Sequence, residues 1–305
     1  LKASVVLQAK NNQAVFKDLK LQLGKLNLSG DGTWTHKNKR PNFDARLQAD
    51  YIDMVQTFLD LGQAPLPPKK EGELFRDKPL AWPLLVAMDG VDGKLDATIA
   101  RLKLRSGVEV ANAKGAMSFT NDQLNVQHFS GSLLGGTASG DIVLEGKKQA
   151  VQLNLQLNEV SLGGWFKASG KKVVINGGPM KVDAKVHTSG ASMKDLAAGL
   201  NGPVDIRIGS AQILSPGAGK AEFWLTGLFS SKDSTRIDLA CASGHLPFQS
   251  GVAKGAGIVG ARSDVSQLLT SGEVNFRQQS VDLRGNVKVR SGVSLGLSNF
   301  SDGVK

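Results

Sequence analysis

Three stretches of this sequence hold residue types whose spacing could do chemistry. Gly255-Ala256-Gly257-Ile258-Val259-Gly260 fits GxGxxG, the pattern that seats a dinucleotide pyrophosphate on a helix N-terminus. That chemistry needs a strand before the glycines and a helix after them. Here Ser250-Gly251-Val252-Ala253-Lys254 is broken by glycine and the chain soon returns to strand-like alternation, which favours a glycine-rich turn or edge strand. Ser169-Gly170-Lys171-Lys172 contains SxxK, the nucleophile motif of penicillin-binding enzymes, but the SDN and KTG companions are missing and the motif falls on an expected hairpin tip. His36, His128, His187 and His245 stand apart, with no acidic neighbours at metal-ligand spacing. The carboxylates are scattered, without a pair for acid–base work. Cys241 is the single cysteine, which excludes a disulfide framework, a cysteine zinc site and a CxxC redox pair. No metal site, cofactor or enzymatic reaction is expected.

The elements around these residues are more informative. The dominant pattern is period-two alternation, which marks strands with one dry and one wet face. Leu19, Leu21 and Leu23 alternate with Lys20 and Gln22; Val151, Leu153, Leu155 and Leu157 alternate with Gln152, Asn154 and Gln156; Val204, Ile206 and Ile208 alternate with Asp205 and Arg207. Parallel strands buried on both faces would read as continuous apolar runs instead. Gly30-Asp31-Gly32, Gly135-Gly136, Glu145-Gly146-Lys147-Lys148, Gly177-Gly178-Pro179 and Ser291-Gly292 supply turns. The chain is therefore expected to be all-β and antiparallel, with a few short helices over Ile52–Leu61, Leu162–Phe166 and Ser192–Leu200, the last N-capped by Ser192, and a short turn of helix at Val265–Leu269. Residues 65–83 hold Pro65, Pro67, Pro68, Pro79 and Pro83 and read as a loop. The expected organisation is a β unit over 1–64, that loop, a central β unit over 84–190, and a C-terminal unit over 191–305 led by a short helix.

An internal repeat of about 110 residues links the first two units. Ser29-Gly30-Asp31 matches Ser139-Gly140-Asp141, and the stretch from Leu47 to Phe58 lies over that from Leu155 to Phe166, with a two-residue length difference between the matches.

The 305 residues include 41% hydrophobic side chains and 36 glycines, enough to exclude wholesale disorder. No apolar run reaches the roughly 18 residues of a membrane-spanning helix. The net charge of +10 is concentrated in part in Lys37-Asn38-Lys39-Arg40, Lys69-Lys70, Lys147-Lys148 and Lys171-Lys172. These doublets fall in turns, where they solvate hairpin tips and block edge-to-edge association; they also suit anionic lipid headgroups or lipopolysaccharide. Nucleic acid is disfavoured, because the basic residues are not interleaved with aromatics and no nucleic-acid-binding motif appears. Of Trp34, Trp82, Trp165 and Trp224, the second and third stand beside apolar turns where a groove lip would lie.

Three blocks carry a resemblance to a known family. The first runs from Phe75-Arg76-Asp77-Lys78-Pro79-Leu80-Ala81-Trp82-Pro83 into Val91-Asp92-Gly93-Lys94-Leu95 and Leu102-Lys103-Leu104. The second is Ser192-Met193-Lys194-Asp195-Leu196-Ala197-Ala198-Gly199-Leu200-Asn201-Gly202. The third joins Cys241-Ala242-Ser243-Gly244, Gly251-Val252-Ala253, Gly272-Glu273-Val274-Asn275-Phe276 and Val281-Asp282-Leu283. Together they resemble the C-terminal β-rich region of the AsmA family of Gram-negative envelope proteins, which is similar to the bridge-type lipid carriers. The resemblance implies a long curved sheet with an apolar inner face. It also implies a periplasmic position within a longer protein, anchored in the inner membrane by a segment outside this sequence, and a role in phospholipid movement to, and assembly of, the outer membrane.

Each methylene taken out of water contributes about 0.8 kcal/mol, so a trough lined with Leu, Ile and Val holds an acyl chain without any specific group. The expected lining is Leu19, Leu21, Leu23, Leu153, Leu155, Leu157, Val204, Ile206, Ile208, Val274 and Phe276, with phospholipid or another acyl lipid as partner. The alternative is a structural or adhesive β-scaffold whose apolar face is closed by protein; alternation alone fits both.

Overall fold

The computed structural model describes residues 2–10, 13–37, 40–60, 74–80, 90–120, 122–168, 174–214 and 236–289. These form one sheet of 17 strands that does not close into a barrel. Strands β1 (Lys2–Lys10), β2 (Gln13–Leu23), β3 (Leu26–Lys37) and β4 (Arg40–Asp53) follow one another antiparallel. Helix α1 (Met54–Asp60) follows, and β5 (Asp92–Lys103) then lies parallel to β4. Antiparallel order resumes through β6 (Glu109–Thr120), β7 (Gln123–Leu133), β8 (Gly136–Glu145) and β9 (Ala150–Ser161).

After helix α2 (Leu162–Ala168), β10 (Val174–Gly177) and β11 (Pro179–Ser189) form a broken strand, and β11 pairs with β9. Helix α3 (Met193–Ala198) leads to β12 (Gly202–Ile208) and β13 (Ala211–Leu214), which pair with β11 and β10. Strands β14 (Arg236–Gln249), β15 (Val252–Ser263), β16 (Ser266–Asn275) and β17 (Ser280–Val289) complete the sheet.

The architecture agrees with the expectation of an elongated all-β sheet, with two local corrections. The β4–β5 pairing is parallel, so the sheet is mixed. Residues 265–269, expected as a turn of helix, are a two-residue turn running into β16. The Ser263 hydroxyl accepts the amides of Val265 (3.2 Å) and Ser266 (3.0 Å), a local polar closure that apolar spacing does not reveal. By contrast, the Ser192 cap of α3 is present in full. Its hydroxyl accepts the Asp195 amide, and the Asp195 carboxylate accepts the Ser192 amide at 3.1 Å.

The 110-residue repeat is physical. In β2 the extra residue of a bulge between Phe16 and Leu19 is Asp18 at φ 52, and its amide donates to the Asp31 carboxylate at 3.0 Å. In β7 the bulge between Val126 and Phe129 holds His128 at φ 50, whose amide donates to Asp141 at 2.9 Å. The glycine before each acid, Gly30 and Gly140, has no room for a side chain: a Cβ would strike the carbonyl oxygen of Arg46 or Asn154 on the next strand. Gly272 of Ser271-Gly272-Glu273 stands in the same relation to the Asp282 carbonyl, so the C-terminal unit carries a third Ser-Gly-acid copy that the sequence comparison missed.

The parallel joint is fastened at its end by a small polar cluster. Lys103 Nζ lies 2.9 Å from Asp53, Asp53 also accepts the amides of Val55 and Gln56 at the start of α1, and the Arg101 guanidinium lies 5.1 Å from the Tyr51 ring centroid. The Lys103 hydrogen bond, then the Gln56 amide, holds the Asp53 carboxyl below its ordinary value; the Asp53 bond holds the Lys103 amine above its own.

Two outcomes follow from these contacts. Gly140→Ala costs roughly 2 kcal/mol or more in urea unfolding, through strain and collision, whereas Ser139→Ala stays within about 0.5 kcal/mol. For the Asp53–Lys103 pair, the depressed acid stabilises the fold above about pH 4 and loses that contribution as pH falls through its folded value. The raised amine stabilises below about pH 10 and loses its contribution as pH rises through its folded value. The stability difference between the native chain and Asp53→Asn, measured by urea titration across pH, is therefore flat in the middle and shrinks at both ends.

Candidate functional site

Residues directly opposite in a ladder share a face, so the register fixes which side chains stand together. One row runs Leu7, Phe16, Gly32, Ala45, Leu95, Met117, Val126, Ile142, Leu153, Val186 across ten strands. Another runs Ala138, Leu157, Val182, Ile206, Gly244, Val259, Thr270, Gly285. Every member is apolar or small, apart from Thr270, whose hydroxyl donates to the Val259 carbonyl at 3.0 Å. One residue over lies the opposite face: Thr33, Asp44, Lys94, Ser118, Asn125, Val143, Gln152, His187. The sheet is greasy on one side and wet on the other along its whole length, and the bulges keep this assignment by absorbing the extra residue.

The apolar face is shielded in part but not sealed. Along β9, Val151, Leu153, Leu155 and Leu157 are half-buried while Gln152, Asn154, Gln156 and Asn158 are exposed. Among the described residues no second sheet lies over this face, and the most deeply buried large side chains are Val108, Val160, Phe119, Leu124, Phe248 and Ile258. Packing is concentrated at the strand ends. Trp165 and Ala168 of α2 close over Val108, Leu133 and Val160. At the opposite ends Phe119 and Leu124 gather Phe43, Leu95 and Val126.

Of the predicted lining, Leu19, Leu21, Leu153, Leu155, Leu157, Val204, Ile206, Ile208 and Val274 all stand half-buried on the apolar face. Leu23 opposes Leu26 in the same ladder, and its side chain lies outside the described residues. Phe276 differs: it stands beyond β16 in a turn, stacked 4.7 Å from the Phe248 ring with Phe75 edge-on at 5.2 Å. The apolar face also carries Phe16, Phe43, Met117 and Phe129, which sequence reading passed over; bulges at Asp18, Asn112 and His128 interrupt the alternation of the strands that hold Phe16, Met117 and Phe129.

The stretches considered for other chemistry find plain structural places. The GxGxxG residues lie within β15, where Gly257 at φ 69 forms a bulge, and β16 rather than a helix follows. Among the four histidines, His245 Nδ1 meets Asp205 at 2.7 Å on the polar face and His128 occupies a bulge. No group of three or more metal-ligating side chains exists among the described residues. Ser169-Gly170-Lys171-Lys172, Lys69-Lys70, Trp82 and Trp224 lie outside the described residues. A hollow of about 1050 Å³ lies on the polar side near Asn176, Gln212, Asp238, Arg262 and Lys288; its charges are mixed and no catalytic set converges there.

An open apolar face predicts a small cost for truncation. Leu155→Ala is expected to lower unfolding stability by less than about 2 kcal/mol, short of the roughly 2–5 kcal/mol of a sealed core. A larger loss in urea titration of the delipidated protein would show that protein covers this position.

The family model described as the AsmA family matches residues 1–254. No curated protein and no solved structure matches the chain.

Proposed function

The chain belongs to the AsmA family, and from that membership and its uncovered apolar face we propose that it is a non-enzymatic lipid-handling segment of the envelope. At family level the role is membrane-associated and concerned with lipid and the envelope. The finer reading is that acyl chains lie on the apolar face and move along it while headgroups stay at the strand ends, in water. The proposed setting is the periplasm and the proposed cargo is phospholipid on its way to the outer membrane. No helix among the described residues is long and apolar enough to cross a membrane.

The observation that carries this reading is the unbroken apolar ladder. Leu155, Ala184, Val204 and Leu246 continue one another across four strands without a polar interruption or a covering layer among the described residues. A guest sliding from strand to strand exchanges equivalent contacts, each methylene contributing about 0.8 kcal/mol wherever it rests, so no position traps it. A carrier needs that evenness more than it needs a tight site. The scaffold alternative requires the same face to be dry against protein.

Native mass spectrometry of the purified protein separates the two. Bound phospholipid is expected, and Leu155→Glu combined with Ile206→Glu should remove it while leaving the far-ultraviolet circular dichroism of a β protein intact. A chain that purifies lipid-free and takes up none from mixed micelles would instead support the scaffold.

A further inference from the structure

The strand ends form two long edges. The first carries the β6–β7, β8–β9, β14–β15 and β16–β17 turns together with α3; the second carries the β2–β3, β5–β6, β7–β8 and β15–β16 turns with α1 and α2. On the first edge, residues 74–80 dock as a strap, far from β4 and β5 between which they fall in sequence. The Leu74 amide donates to Gln279 at 2.8 Å, Pro79 bridges Ser192, the Leu80 amide donates to the Ala191 carbonyl at 2.7 Å, and the Arg76 carbonyl accepts the Lys194 amide at 3.1 Å. Phe75 lies against Phe276, and Phe276 against Phe248, which opposes Ala253 on the apolar face. The strap thus joins the greasy surface to the edge.

Four cations belong to the segments that are hydrogen-bonded to α3 or to the turn leading into it. Arg76 and Lys78 belong to the strap. Lys147 is in the β8–β9 turn, held beside α3 because the Gly190 amide donates to the Gln149 carbonyl at 3.0 Å. Arg277 donates through Nε to the Ala198 carbonyl at 3.1 Å. The nearby acids are engaged elsewhere: Asp77 with Lys194 at 2.8 Å, Glu145 with Lys148 at 2.6 Å, Asp195 in the α3 cap, and Asp122 with the Lys147 amide. None of the four cations has an ion pair among the described residues. Moreover, Arg76 Nε is buried with no hydrogen-bond partner there. A buried guanidinium donor left open is costly, and an acceptor that arrives with a ligand removes that cost.

We infer that this notch binds the phosphate of a glycerophospholipid whose acyl chains rest on the apolar face. Arg76 is its direct donor, and Lys78, Lys147 and Arg277 supply the surrounding positive field. Guanidinium and phosphate match in charge and in hydrogen-bond geometry. The inference rests on the lipid-handling reading and adds selection by headgroup.

The test offers the purified chain phosphatidylglycerol and diacylglycerol with identical acyl chains in mixed micelles, with occupancy read by native mass spectrometry. The native chain is expected to favour the phospholipid by about tenfold or more, a preference that weakens with added salt. Arg76→Gln should bring that ratio to about threefold or less with diacylglycerol uptake unchanged. The exposed pair Lys78→Gln and Lys147→Gln should lower it in the same direction without touching the strap's packing, and Lys25→Gln with Lys167→Gln on the second edge should leave it alone. Equal uptake of the two lipids by the native chain, or a ratio indifferent to Arg76→Gln and to the exposed pair, overturns the headgroup site and leaves the groove standing. Uptake of neither lipid overturns both readings. Saturable binding of millimolar inorganic phosphate to the lipid-free chain, lost in Arg76→Gln, would overturn the lipid version in favour of a free-anion site.

Discussion

The structure depends on how one apolar sheet surface is kept from water. Strands with a dry and a wet side are stable only if something takes up the dry side. In a sandwich that partner is a second sheet. Here, among the described residues, no second sheet is present, and side chains such as Leu153 and Leu155 are half-buried without being sealed. Protein-only packing gathers in clusters under α2, around Phe119 and around Ile237 with Leu268, and Ala45, Ala49 and Ala184 are buried within the face. Between these clusters Leu153, Leu155 and Leu157 stay half-buried, and this is the surface on which the proposed hydrocarbon guest would rest.

Bending requires backbone that ordinary residues do not provide. The bulges at Asp18 and His128, each pinned by a carboxylate from the neighbouring strand, and the side-chain-free passages at Gly30, Gly140 and Gly272 give one unit its curvature and repeat it. The high glycine content, which at first resembles turn material or a nucleotide-binding loop, belongs largely inside strands. Gly257 in β15 is the clearest case, since the pattern that suggested a pyrophosphate cradle is a kink in a ladder.

Much of this was legible in the sequence because the relevant signals are local. Alternation marked Leu153, Leu155, Val204 and Ile206 as sharing one face, Ser192 and Asp195 announced the α3 cap, and Ser29-Gly30-Asp31 against Ser139-Gly140-Asp141 announced the repeat. What escaped was set by distance or by irregularity. The parallel β4–β5 joint depends on a crossover that no periodicity encodes. The third repeat copy was hidden because its acid is a glutamate and its Ser-Gly pair sits two residues further along its strand. Phe276 alternates with Val274 in sequence, yet the strand ends at Asn275 and the ring turns to Phe248. The strap's docking at Gln279, some two hundred residues away in sequence, leaves no trace in composition.

The order of the strands also bears on how the molecule is made. From β1 to β4 and again from β5 to β9, each strand lies beside its predecessor in the chain. Such a ribbon can grow by adding hairpins to an existing rim, with little entropy lost at each closure, as stacked repeat arrays do. The β4–β5 joint interrupts this, because a whole excursion must be looped out before β5 can register. Assembly is thus expected to proceed as two quick zippering runs separated by one slow encounter, with β4 awaiting its neighbour as an unsatisfied template.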